Sequence, residues 1–249
     1  MDIHELTLFR YKSMIELELE HVLPEIAPGR QGFETREMLR YAALDGGKRL
    51  RGAMTLAWGR AAHRNSERSL QAAAAIELLH AYTLVHDDLP EMDNSATRRG
   101  KPSLHAKFGH WQALLAGDLL QATAFDIVAK NDDPGDIKTL AWAAKAVCEG
   151  QYLDLSERSE EEYALISRKT GALFAAACKL GSHLDAAFDF GLNFGIAFQL
   201  ADDLRDGDGA VLTFGEEKCR RLVARYVEKA KGCTSDAFLL WLAEKVFSS

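Results

Sequence analysis

Six aspartates stand in two groups, Asp87, Asp88 and Asp93 in DDLPEMD and Asp202, Asp203 and Asp206 in DDLRD. At about 100° per residue, Asp202 and Asp206 differ by only about 40° around a helix and share a face, with Asp203 flanking them. Asp87 and Asp93 would fall on opposed faces of a straight helix. Pro90 lies between them, disfavours continued helix and lets Asp93 swing back toward Asp87. If the two groups face each other, every like-charge pair at about 4 Å repels by roughly 4 kcal/mol at an effective dielectric near 20. Such carboxylates need a cation. Oxygen ligands with few nitrogens and no thiolates suit magnesium, in a site that substrate phosphates complete. One DDxxD run alone reads as a solvated helix end; two runs, each behind a strongly apolar helix, favour the metal.

The elements that must position these acids are helices. In SLQAAAAIELLHAYTLVHDDL, WQALLAGDLLQATAFDIVAK and EEYALISRKTGALFAAACKLG, apolar residues recur every three or four positions and Ala and Leu dominate. The pattern predicts about ten helices and no sheet, an all-α bundle around a central cavity, in one domain over 1–249. Ser159 with Glu162 reads as a capping box, and Gly232 as the stop of a Lys/Arg-rich helix. Breaks are expected from Pro24 to Gly32, at Gly46 and Gly47, from Pro90 to Pro102 and at DDPGD. SLQAAAAIELLH and GIAFQLADDL are apolar almost all round and are expected to be the central helices, with function at their ends.

Composition bounds the setting. The 249 residues are 47% hydrophobic and 27% charged, with no repeat or long polar linker. A net charge of -7 argues against a nucleic-acid partner, so an anionic substrate must be held by local basic residues. The most apolar run, AAAAIELLHAYTLV, is interrupted by Glu77 and His80, and no membrane span is expected. The N-terminal MDIHELTLFRYK lacks the order of an export signal, and the four cysteines show no CxxC spacing, so a cytoplasmic location is expected.

In order along the chain, GGKRLRG, ELLHAYTLVHDDLPEMDN, RRGKP, LLAGDLL, GQYLDL, RKTGAL and FGIAFQLADDLRD resemble the trans-isoprenyl diphosphate synthases, the polyprenyl synthetases, in their bacterial farnesyl form. The resemblance runs over roughly residues 40 to 230. It implies an isoprenoid-synthase bundle, a homodimer, and about three Mg²⁺ per site around an allylic diphosphate (dimethylallyl or geranyl) that is condensed head to tail with isopentenyl diphosphate. By that resemblance Asp87, Asp88, Asp93, Asp202 and Asp206 bind metal, and Asp203 and Lys169 join them as catalytic residues. Arg98 would touch the allylic diphosphate. Lys48, Arg51, His80 and Arg99 would hold isopentenyl diphosphate, and Thr170 and Gln199 would lie near the leaving group. Arginine forks and lysine point charges suit phosphate, although Lys48 and Arg51 alone read as surface charges and His80 alone as a core histidine. His86, Glu91, Gln151 and Asp154 are left without a role.

Tyr82 lies five residues before Asp87, about 7.5 Å along a helix, where a bulky aromatic in the family limits the product. With small Thr83 beside it, a C15 product is expected and C10 or C20 stay open. Two segments are shortened against the family pattern, near 181–191 and 207–214. The second is where relatives carry a loop with a lysine of a KxT motif; this chain has only GDGAVL. Arg205 and Lys218 are the candidates to replace that charge. Three readings therefore stand: a short-chain synthase, a relative that ionises the same donor for another acceptor or cyclises it, and a non-catalytic partner subunit.

Overall fold

The computed structural model describes residues 2–24, 30–44, 46–155, 166–245 and 247. Among them run α1 (Ile3–Val22), α2 (Arg30–Leu44), α3 (Leu50–Ala61), α4 (Ser66–Asp87), α5 (Leu104–Phe108), α6 (His110–Lys130), α7 (Pro134–Leu155), α8 (Ala172–Ser182), α9 (Asp185–Asp206), α10 (Ala210–Phe214), α11 (Glu216–Lys231) and α12 (Ala237–Lys245). A π-helical turn, Ser167–Gly171, leads into α8. The fold is all-α, as the periodicity predicts. The Ser159 and Glu162 capping box lies outside the described residues.

Helix starts follow local chemistry. Asp2 and Glu5 make a reciprocal capping box for α1, Asn65 accepts from the Arg68 amide at α4, and Pro134 occupies the first turn of α7, where its missing N–H costs nothing. α11 ends at Lys231 before Gly232, but that glycine is right-handed (φ -64°), so the helix stops without a left-handed cap.

The burial of α4 is complete from Ala72 to Leu79, and α3, α6 and α8 pack around it. Its alanines allow that approach on every side. The second central helix differs from expectation. α8 is enclosed, with Phe174, Ala175, Ala176, Ala177 and Cys178 fully buried, whereas α9 keeps Leu192, Asn193, Phe198 and Gln199 partly open. α9 lies one layer out, between α8 and α11. The α8–α9 contact is close enough to need glycine, because a Cβ on Gly191 would run into the Phe174 carbonyl.

The prediction of no sheet is corrected by a hairpin, β1 (Thr97–Arg98) paired with β2 (Lys101–Pro102). Its two-residue turn, Arg99 and Gly100, has φ of 53° and 76°. A turn with two positive φ values matches the twist of the paired strands; four paired residues are too few to leave a period in the sequence. Both places, near 181–191 and 207–214, are tight connections: only His183 and Leu184 separate α8 from α9, and Gly207 to Gly209 separate α9 from α10. No described helix is long and apolar enough to cross a membrane.

Candidate active site

The first aspartate group behaves as Pro90 dictates. α4 ends at Asp87 with Asp88 as its cap, and the chain turns back so that Asp93 donates its amide to the Asp87 carbonyl at 2.9 Å and Ser95 to the Asp88 carbonyl at 3.2 Å. Burial pushes the Asp87 carboxyl up to about 6, Lys169 pulls it down and Asp93 pushes it up again. Asp88 is 3% exposed and is held by Arg98, whose Nε lies 3.1 and 3.2 Å from its two oxygens while Nη2 closes the fork. The structure thus places Arg98 against a carboxylate of the motif.

The second group divides. Asp202 and Asp206 are at the open end of α9, and Asp202 pairs with Arg205. Asp203 turns inward: its Oδ1 accepts from Gln199 Nε2 at 2.8 Å and its Oδ2 from the Ala210 amide at 2.9 Å. Burial raises its carboxyl, with those two hydrogen bonds opposing. Thr170 Oγ1 donates to Gln199 Oε1 at 2.8 Å, so Thr170, Gln199 and Asp203 form a relay that fixes the start of α10. Lys169, on the π turn, reaches Asp154 at 2.7 Å and acts electrostatically on Asp87. Such π turns interrupt helices and re-aim a side chain.

Between α3, α4, α8, α9 and the hairpin lies a cavity of about 570 Å³. Lys48, Arg49, Arg51, His80, Arg99 and Arg205 supply its nitrogen, Glu77 and Asp202 its acids, and Phe174 and Phe198 apolar surface. The hairpin turn sets Arg99 over Gly47, where a Cβ would meet both terminal nitrogens at 3.3 Å. Arg51 stacks its Cζ 4.2 Å from the Phe174 ring; burial lowers its pKa to about 10, Glu77 opposing and Arg99 adding to the effect. His80 is held neutral, first by burial and then by Arg51, Arg99, Arg49 and Arg98, and its buried Nδ1 has no partner among the described residues. A cavity this basic is made for an anion.

Tyr82 stands apart from this cavity, between α4, α6 and α7, with its hydroxyl 3.5 Å from Cys148 Sγ and its ring edge-on to His86 at 4.9 Å. Thr83 is buried and bonds back to the His80 carbonyl at 2.8 Å. His86 Nε2 meets the Leu114 carbonyl at 3.0 Å, and the Gln151 amide has no partner among the described residues. Sequence reasoning passed over Glu77 and Arg49, which line the cavity; the signal for Glu77 was a lone acid inside an alanine run.

The donors of both aspartate groups are carboxylate oxygens, a set that fits magnesium. Yet among the described residues neither group brings three ligand atoms within 4.8 Å of one another. Asp88 is paired with Arg98 and Asp202 with Arg205 instead. The grouping that meets that distance is elsewhere: Asp133, Asp136 and His183, where α7 starts and α8 ends. There Arg64 lies 2.5 Å from Asp136, and His183 Nε2 lies 3.2 Å from Asp133 and 3.3 Å from Asp136. The nearby Asp136 carboxylate raises the His183 pKa; burial would raise Asp136, but His183 and Arg64 hold it down. A raised histidine stabilises fully below its unfolded pKa and loses that contribution as pH climbs through the folded one; Asp136 loses its own only on acidification. His183→Asn, which keeps the left-handed backbone (φ 60°), should therefore melt about 2–4 °C below the parent near pH 5.5. The gap should close by about pH 9 in thermal scans; a pH-independent gap contradicts the assignment.

The geometry has its counterparts among known proteins. Farnesyl diphosphate synthase of Escherichia coli is 38% identical over 206 residues, 73% of this chain and 69% of that protein. Geranylgeranyl diphosphate synthase of Methanosarcina mazei is 37% identical over 182 residues, 69% of this chain and 56% of that one. Farnesyl diphosphate synthase of Haemophilus influenzae is 40% identical over 185 residues, 69% and 61%. The chain thus matches between about half and two thirds of these relatives' length. The crystal structure of a geranyltranstransferase from Thermotoga maritima superposes with a TM-score of 0.86 at 32% identity, covering 96% of this chain and 97% of that one. The family model described as Polyprenyl synthetase matches residues 34–220. That span takes in both aspartate groups and every residue that lines the basic cavity, and the chain belongs to the polyprenyl synthetase family.

Proposed function

We propose that this chain is a magnesium-dependent prenyltransferase that joins dimethylallyl or geranyl diphosphate to isopentenyl diphosphate head to tail, with farnesyl diphosphate as product. The observation that carries this reading is the cavity itself. Lys48, Arg51, His80 and Arg99 line one side of it, and Asp202 with Arg205 lines the other. Two diphosphates need two anion sites, and only one of them needs metal.

Magnesium, when bound, supplies Lewis-acid charge to the leaving pyrophosphate. Asp87, Asp88, Asp93, Asp202 and Asp206 offer the oxygens that hold it. Asp203 acts with Gln199 and Thr170 to fix the helix end on which Asp202 and Asp206 stand. Lys169, within electrostatic reach of Asp87, and Arg98 add charge to the allylic diphosphate. Lys48, Arg51 and Arg99 grip isopentenyl diphosphate, and neutral His80 contributes a donor without competing charge. Phe174 and Phe198 give the prenyl chains a dry wall. Pairing through the outer face of α6, where Trp111 is 67% exposed beside Leu114 and Leu115, would give a homodimer.

The deciding experiment incubates the purified protein with Mg²⁺, dimethylallyl diphosphate and isopentenyl diphosphate. A chelator-sensitive C15 product and a dimeric mass are expected; no prenyl product overturns the reading, and a cyclised or differently linked one moves the chain to another activity. Tyr82 is the proposed floor of the product tunnel. Tyr82→Ala should shift the main product by at least one C5 unit, read by chromatography of the dephosphorylated alcohols; an unchanged C15 removes Tyr82 from that role.

A further inference from the structure

We propose that Glu77 is a positioning residue for the metal-free anion site: it locks the first turn of α3 so that Lys48 and Arg51 face the cavity. The proposal rests on the prenyltransferase reading for its substrate and on the following geometry for everything else. Glu77 is 4% exposed, inside the fully buried stretch of α4 from Ala72 to Leu79. A buried carboxylate is costly unless it is paired and hydrogen-bonded. Its Oε1 accepts the Gly52 amide at 2.8 Å, and its Oε2 lies 3.5 Å from Arg49 Nη1.

Both partners belong to the start of α3. Arg49 is the N-cap residue, left-handed at φ 53°, and makes no side-chain cap; its Nη2 instead donates to the Ala43 carbonyl at 2.7 Å. The unpaired amides at a helix N-terminus favour an acceptor with negative charge. Glu77, reaching over from α4, supplies the cap that Arg49 cannot. Glycine at position 52 eases the approach, because a Cβ there would meet Ile15 Cδ1 at 2.7 Å, Glu77 Cγ at 3.2 Å and the Ala73 carbonyl at 3.3 Å.

The clamped turn carries the functional charges. Lys48 precedes Arg49 and Arg51 precedes Gly52, and both line the cavity with Glu77 itself. Arg51 has a buried Nε with no partner among the described residues, so its aim is set by the turn that bears it and by the Phe174 ring beneath it. One turn along α4 from Glu77, His80 lines the same cavity.

Positioning and plain electrostatics predict opposite signs. Removing an acid from a basic cavity should strengthen anion binding if Glu77 acts only through its field; it should weaken binding if Glu77 sets geometry. Glu77→Gln keeps an acceptor for Gly52 and presents an amide donor to Arg49, so one clamp is lost; Glu77→Ala loses both. Steady-state kinetics should show KM for isopentenyl diphosphate raised about tenfold in the glutamine variant and more in the alanine variant, with kcat and the allylic KM within about twofold. A lowered KM, an unchanged KM with only a lower Tm, or a parallel rise in both KM values overturns the proposal. Calorimetric titration with inorganic pyrophosphate in chelator reads the same site without turnover, with Lys48→Ala as the control that identifies it. Weaker binding by Glu77→Gln sustains the proposal even if no prenyl transfer occurs; wild-type protein that binds no pyrophosphate overturns it.

Discussion

Asp87→Ala and Asp202→Ala should each lower turnover by about 10³-fold or more while the protein stays folded. The two residues stand at the ends of different helices, α4 and α9, so under the proposed metal assignment each variant would remove one of the carboxylates that would hold magnesium. A leaving pyrophosphate that is under-neutralised on either side stabilises the transition state poorly. Folding should be spared. Asp87 carries a carboxyl pushed up to about 6, mainly by burial, so its charge is more costly in the folded chain than in the unfolded one, and the attraction of Lys169 and Arg98 does not offset that cost; removing the carboxylate relieves it. Asp202 makes a partly exposed pair with Arg205, of the kind worth about 0–1 kcal/mol. The check pairs product formation at saturating Mg²⁺ with thermal unfolding of the same samples. Near-normal turnover in either variant sinks the metal assignment, and loss of the thermal transition would mean that the acid is structural.

What the sequence made legible was what helical period and proline chemistry control. Pro90 returning Asp93 to Asp87, the common face of Asp202 and Asp206, and the enclosed alanine helix all follow from local rules. Depth was harder to read. DDLRD presents Asp203 as an equal of its neighbours, but Ile196, Leu200 and Asp203 recur at i, i+4 and i+7 and are all buried, which puts Asp203 on the core side of α9. The apolar stripe carried that signal; the charge of the residue hid it. GIAFQLA looked enclosed because its glycine and alanines resemble a core, yet α9 is an outer helix whose small residues serve one close contact with α8. Lys169 sits on a π turn, and no 3.6-residue period announces a turn of another kind. The pairing of Glu77 with Arg49 and Gly52 is set by packing between α4 and α3, so spacing along the sequence could not name it.

Arg205→Ala should move two constants in opposite directions, and this decides whether Arg205 or Lys218 serves the allylic diphosphate. Arg205 lines the basic cavity and holds Asp202, whereas the Lys218 Nζ lies over the Phe214 ring at 4.6 Å and lines none of that cavity. If Asp202 holds Mg²⁺ as proposed, the Arg205 guanidinium would have two effects: it would compete with the metal for that carboxylate, and it would supply a donor for phosphate oxygen. Without it, KM for the allylic diphosphate should rise about thirtyfold, the loss of a charge-assisted hydrogen bond or two. The Mg²⁺ concentration for half-maximal rate should fall about threefold, because one exposed ion pair no longer has to be broken. Lys218→Ala should leave both constants where they are. Initial rates over a grid of donor and Mg²⁺ concentrations separate the two effects. If the lysine variant shows the larger rise in KM, or if Arg205→Ala needs more Mg²⁺ rather than less, the charge that closes this site comes from somewhere other than α9.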